Sequence, residues 1–111
     1  MITKQKQTVL AAASVYNEKY FIDPAFSAIP KPVRDELQFL AISMAKELHC
    51  IFSIGFKANG AVYFETQAGE HDTLHQEQLA AQKVDKLIHE RAELIQSLTL
   101  WYKLFVLKEI P

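Results

Sequence analysis

The run Ile51-Phe52-Ser53-Ile54-Gly55-Phe56-Lys57-Ala58-Asn59-Gly60-Ala61-Val62-Tyr63-Phe64-Glu65 decides how this chain folds. Phe52, Ile54 and Phe56 alternate with Ser53, Gly55 and Lys57, the two-residue period of a strand with one buried face. Val62 and Phe64 alternate with Tyr63 and Glu65 in the same way, and Asn59-Gly60 marks the turn between them. The turn length sets the register. A two-residue turn at Asn59-Gly60 would place Phe56 opposite Tyr63 and Ile54 opposite Glu65, which puts a carboxylate on the apolar face. A three-residue loop, Ala58-Asn59-Gly60 with Gly60 left-handed, pairs Phe56 with Val62 and Ile54 with Phe64 instead. A slip of one residue inverts every side chain, so the second register is the expected one. It predicts a hairpin over about 50–57 and 61–67 with an oily face and a wetter face carrying Ser53, Lys57 and Glu65.

The hairpin's oily face needs a cover, and the sequence supplies helices on both sides. Upstream, Val33, Leu37, Leu40, Ala41, Met44 and Leu48 form one apolar stripe. Pro32 suits the first helical position and Asp35 and Glu36 favour its N-terminal dipole, which together predict a helix over 32–49. Downstream, Ala80, Val84, Leu87, Ile88, Leu94, Ile95, Leu98, Tyr102 and Phe105 recur at helical spacing, predicting one long helix over about 76–107. At the N-terminus, Val9, Ala12, Ala13, Tyr16 and Tyr20 have helical spacing over 7–21, although Tyr20-Phe21-Ile22 reads equally well as a strand. Asp23-Pro24 ends that segment, and Ile29-Pro30-Lys31-Pro32 makes a rigid connection to the next. The expected fold class is α+β: an antiparallel hairpin packed on two helices, with a short N-terminal helix or strand.

The 111 residues, half of them hydrophobic, are enough for a core without disulfide or metal, and read as a single domain, 1–111. A net charge of −1 argues against nucleic-acid binding, which needs a basic excess, and the scattered lysines and arginines form no membrane-binding patch. Lys4 and Lys6 precede only Val9-Leu10 before the alanines, too short an apolar core for a cleaved leader. No run approaches the ~20 apolar residues of a membrane span. The lone Cys50 forms no intrachain disulfide and fits a reducing cytoplasm.

Few residues offer chemistry. Arg91 falls within the apolar stripe of the C-terminal helix; it either points at an anionic ligand or pairs with a carboxylate such as Glu47 or Glu65. His71 and His75 would share a face if helical, the start of a metal site, but no further ligand cluster completes it, so no cofactor is expected. Thr73 and Gln76 match a capping box instead. His49-Cys50 resembles a base beside a nucleophile, yet adjacent residues point apart, and Cys50 between Leu48 and Ile51 reads as a small hydrophobe. Asp85, His89 and Glu93 read as a solvated ladder. Tyr16, Tyr20, Phe21 and Phe26 line either a pocket or, more commonly, a core. Gly55, Gly60 and Gly69 are too dispersed for a phosphate or dinucleotide loop. From Leu98 onward the last helix is apolar nearly all round: Leu100, Leu104 and Leu107, flanked by Trp101, lie opposite the main stripe. A monomer seldom leaves such a band in water, so it is the expected oligomer interface, most simply of a two-fold homodimer.

Tyr16-Asn17-Glu18-Lys19-Tyr20-Phe21, Phe26, Ile29-Pro30 and Glu36-Leu37, with Glu90-Arg91-Ala92-Glu93-Leu94 and the Tyr102…Phe105 ending, resemble a family of small uncharacterised clostridial proteins, a domain of unknown function. The resemblance spans Val9 to Leu107 and implies a free-standing cytoplasmic protein, with no catalytic residue to carry over. Arg91 matches that pattern; the His71/His75 pair does not. Function is thus expected to be a non-enzymatic, self-associating protein-interaction module. The alternative is a small anionic-ligand binder or enzyme with a pocket between hairpin and helices.

Overall fold

The computed structural model describes residues 7–69 and 77–108. Four strands, β1 (Gln7–Ser14), β2 (Lys19–Ile22), β3 (Ile51–Lys57) and β4 (Val62–Gln67), form one antiparallel sheet in the order β2-β1-β3-β4. Three helices accompany it: α1 (Lys31–Leu48), α2 (Glu77–Glu90) and α3 (Ala92–Phe105). The architecture is α+β.

The β3–β4 hairpin has the register that the apolar alternation predicts. Ile54 pairs with Phe64 and Phe56 with Val62, while Ser53 faces Glu65. The loop closes through Lys57 N–H to Ala61 O at 2.8 Å and Gly60 N–H to Lys57 O at 2.9 Å. Gly60 has φ +92°, and a Cβ there would stand 3.2 Å from Cδ1 of Tyr102, so both backbone angle and packing call for glycine. Phe52, Ile54 and Phe56 are all fully buried on the helix side of the sheet.

The N-terminal segment is a hairpin, so the helical reading of 7–21 gives way to the extended one. Val15–Glu18 is the turn, with Glu18 left-handed at φ 51°. β1 lies in the middle of the sheet, hydrogen-bonded to β2 on one side and β3 on the other. Tertiary pairing therefore overrides the helix preference of Ala11-Ala12-Ala13. The alanines serve a different purpose: Ala11 and Ala13 are buried where α1 crosses the sheet, and their small side chains let the helix approach. A bulge between Val9 and Ala11 brings Leu10 into the core as well.

α1 starts one residue before the predicted helix and ends one earlier. Leu37, Leu40, Ala41, Met44 and Leu48 are buried as the stripe requires, and Val33 is half-buried. His49 closes the helix in a left-handed conformation at φ 51°, its N–H reaching back to Ala45 and Lys46. Tyr16 fastens this corner: its hydroxyl donates to His49 O at 3.0 Å and accepts from Gly69 N–H at 2.8 Å.

The C-terminal stretch is two helices rather than one. At Arg91 the backbone leaves helical geometry (φ −112°, ψ 31°), although Arg91 N–H still bonds to Leu87 O and Ile95 N–H to Arg91 O. The break falls where a cation interrupts the apolar stripe. A straight helix would aim the guanidinium at the core, and the irregular turn lets it reach the surface instead. Two ion pairs run between α1 and this region, Glu47 with Lys83 and Glu36 with Arg91, so α2 lies antiparallel beside α1. Ala80, Leu87, Leu94, Leu98 and Tyr102 are buried, whereas Ile88 and Phe105 of the same predicted stripe are exposed.

Candidate functional site

α3 anchors to the body through aromatic contacts and leaves several apolar side chains near its end exposed. Tyr102 packs on Phe56 with ring centroids 4.5 Å apart, and Trp101 lies 5.8 Å from Phe26. Phe26 is itself buried against Phe56 at 5.5 Å, held by a 3-10 turn (Pro24–Phe26) that Asp23 caps through Ala25 N–H. On either side of these anchors the helix carries exposed apolar side chains. Leu100 is 57% exposed, Leu104 39%, Phe105 61% and Leu107 38%, with Val106 also exposed. Trp101 bridges the two regions, half-buried against Phe26 and stacked on Phe105 at 5.4 Å. The helix ends as Val106 and Leu107 N–H both bond to Tyr102 O, and Lys108 turns left-handed at φ 56°. The result is an exposed apolar band of Leu100, Leu104 and Leu107, with Trp101 half-buried at its flank. Phe105 and Val106 extend it; periodicity alone assigned Phe105 to the core because it carries no information about where the body stops.

Arg91 stands elsewhere, on the rim of a cleft of about 400 Å³ that Glu36, Glu90 and Glu93 also line. Its Nη1 is 3.8 Å from Glu36 Oε2, with both side chains about 40% exposed. Neither of the partners considered from sequence is the one used: Glu47 pairs with Lys83 at 3.0 Å, and Glu65 lies on the sheet face away from the helices. The acidic lining makes this cleft a poor receptor for an anion.

Cys50 is fully buried, and burial pushes its thiol up to about 11, partly offset by a hydrogen bond from the Gln67 backbone. Such a thiol is protonated at neutral pH and makes no nucleophile. His89 Nδ1 lies 2.9 Å from the backbone carbonyl of Asp85, on a solvent-facing ladder with Glu93. His71, Thr73 and His75 lie outside the described residues. Among the described residues no three His, Cys, Asp or Glu side chains come together as a metal site, and no helix is long and apolar enough to cross a membrane.

A cavity of about 320 Å³ lies between α1 and the β1–β2 hairpin, lined by Ala13, Val15, Tyr20, Ile42 and Ala45 with Glu18, Lys19 and Lys46 among its polar residues; another of about 320 Å³ is lined by Thr8, Phe26, Ala58, Tyr102 and Val106. The four aromatics weighed from sequence divide here. Phe26 is core, Phe21 is exposed on the open sheet face, Tyr16 is a corner clamp, and Tyr20 alone lines the first cavity. The Tyr20 hydroxyl is buried without a hydrogen-bond partner among the described residues, and desolvation holds its pKa above the ordinary tyrosine value.

The sequence model of DUF6145, a family of unknown function, matches residues 7–110, nearly the whole chain. The chain belongs to this family. No curated protein and no solved structure matches it. DUF6145 membership agrees with the resemblance seen in the Tyr16–Phe21 and Glu90–Leu94 runs, and it brings no catalytic assignment to the residues described above.

Proposed function

We propose that this DUF6145 chain is a non-enzymatic, self-associating interaction module, a single cytoplasmic domain of clostridial type that forms a homodimer through the C-terminal end of α3. Leu100, Trp101, Leu104 and Leu107 form the proposed interface. The observation that supports this is the exposure of Leu100, Leu104 and Leu107 beside Phe105 and Val106, with Trp101 half-buried at their flank. Covering a half-exposed leucine contributes on the order of 1 kcal/mol. The apolar side chains of two such bands therefore supply roughly 10 kcal/mol, against an association cost of about 4–15 kcal/mol. The balance favours a weak, concentration-dependent dimer that can also exchange for a different protein partner.

The test is solution mass by sedimentation at high micromolar concentration. A dimer is expected for the native chain and a folded monomer for Leu104→Asp. A native chain that stays monomeric, with the variant indistinguishable from it, overturns the proposal. The anionic-ligand reading gains nothing from the setting of Arg91, whose neighbours are carboxylates.

A further inference from the structure

The cavity between α1 and the β1–β2 hairpin has chemistry of its own. It lies at the β2 edge of the sheet, whereas α3 packs near β4 at the opposite edge. Small side chains leave the space. Ala13 of β1 and Ala45 of α1 both line it and are almost fully buried, so the two layers meet there with little to fill the gap. Tyr20, paired with Ala13 across the strands, completes an apolar lining with the half-buried Val15 and Ile42.

The charged residues gather at one end. Glu18 belongs to the β1–β2 turn, Lys19 opens β2, and Lys46 stands in the last turn of α1. The Tyr16 hydroxyl, 3.0 Å from His49 O, holds that turn beside the end of α1. Two cations and one carboxylate therefore share a mouth, and the apolar walls lie behind it. Ile42 and Lys46 are one helical turn apart on the same face of α1, so the helix presents an apolar side chain and then a cation along the cavity. The partial negative charge at the C-terminus of α1 works against an anion, and Lys46 offsets it there.

We infer that this cavity binds a small monocarboxylate with an apolar body, its carboxylate at Lys46 and Lys19 and its body against Val15, Tyr20 and Ile42. Ligand sites combine apolar walls with a few polar groups that fix orientation, and this lining has that composition. Its volume of about 320 Å³, at about 30 Å³ for each water of the liquid, matches roughly ten non-hydrogen atoms, the size of octanoate. An ammonium would meet two lysines, and an inorganic anion would leave the apolar walls without a partner. The site is separate from the Arg91 cleft, whose lining is acidic, and none of its residues belongs to α3, so it stands independently of self-association.

Titration calorimetry of the native chain with sodium octanoate tests the inference. Saturable binding is expected, with a Kd below about 1 mM. From butanoate to octanoate, each added methylene strengthens binding about threefold to fourfold. Octanamide keeps the apolar body without the charge and is expected to bind at least tenfold more weakly. Lys46→Glu is expected to weaken octanoate at least tenfold, and Ile42→Trp to abolish its binding by filling the space. Lys46 is exposed, so its variant decides the matter even where the tryptophan disturbs packing. Absence of saturable binding overturns the inference, as does equal affinity for octanamide. Binding that survives both substitutions and is lost in Leu104→Asp lies on α3 instead and overturns it too.

Discussion

The Tyr20 hydroxyl is buried where no described residue receives it. An unsatisfied buried hydroxyl costs about 1–3 kcal/mol, so its removal without loss of the ring is expected to help. Tyr20→Phe should stabilise the chain by about 1 kcal/mol, seen as a higher urea midpoint with unchanged slope; a lower midpoint would show that the hydroxyl has a partner. Cys50 makes a second prediction, with a sign set by its raised pKa. Its thiol ionises at about 11 when folded against an ordinary 9.0. Between those values the unfolded chain has lost a proton that the folded chain keeps, so stability falls as pH rises from 9 to 11 and the thiol contributes no slope below 9. Comparing urea midpoints of the native chain with Cys50→Ala across that window isolates the effect, because the variant lacks this part of the decline. The packed role of Cys50 was legible from its neighbours Leu48 and Ile51. The orphan at Tyr20 was not, since it depends on how α1 lies against the β1–β2 edge.

At the scale of elements, strong local periodicity was readable and mixed signals were not. The β3–β4 register followed from one energetic choice, keeping Glu65 off the oily face, and the structure has that register. α1 was equally plain, because its stripe is uninterrupted. β1 was obscured by alanines, which favour a helix in isolation but here accommodate one packed across them. The turn at Tyr16-Asn17-Glu18 was the available signal, asparagine being a common turn residue. Arg91 marked its own anomaly in the stripe without disclosing the outcome, a broken helix and an exposed pair with Glu36. An exposed ion pair of this length is worth under about 1 kcal/mol. Arg91→Leu is therefore expected to shift stability by less than ~1 kcal/mol, with helical circular dichroism equal or slightly higher. A loss above ~3 kcal/mol would show that the guanidinium holds the α2–α3 junction together.

For the whole molecule, the exposed apolar side chains near the end of α3 are the surface on which self-association is proposed. If two copies cover it, folding and association are linked, and thermal stability depends on protein concentration. The Tm of the native chain should rise by roughly 2–5 °C per tenfold concentration in the micromolar range, and that of Leu104→Asp should stay constant. A native Tm independent of concentration would place the apolar band outside any self-contact. The same comparison tests the candidate site as a unit. Leu100, Leu104 and Leu107 stand out in the sequence as apolar residues opposite the main stripe, and in the structure all three are exposed while Trp101 is half-buried. The exposure of Phe105 and Val106 was read only from the structure.

The amino-acid order by itself determined what depends on repeats a few residues long: the alternation and turn of β3–β4, the buried face of α1, and the excess of leucine late in the chain. Each is a local pattern whose wrong alternative buries a charge or exposes a stripe. Tertiary structure alone decided what depends on neighbours distant in sequence. It made β1 the central strand by offering it pairing on both sides, and it drew Arg91 out to Glu36, 55 residues earlier in the chain. It also left Leu104 and Phe105 exposed in the last turn of α3 while Tyr102 of the same turn is buried.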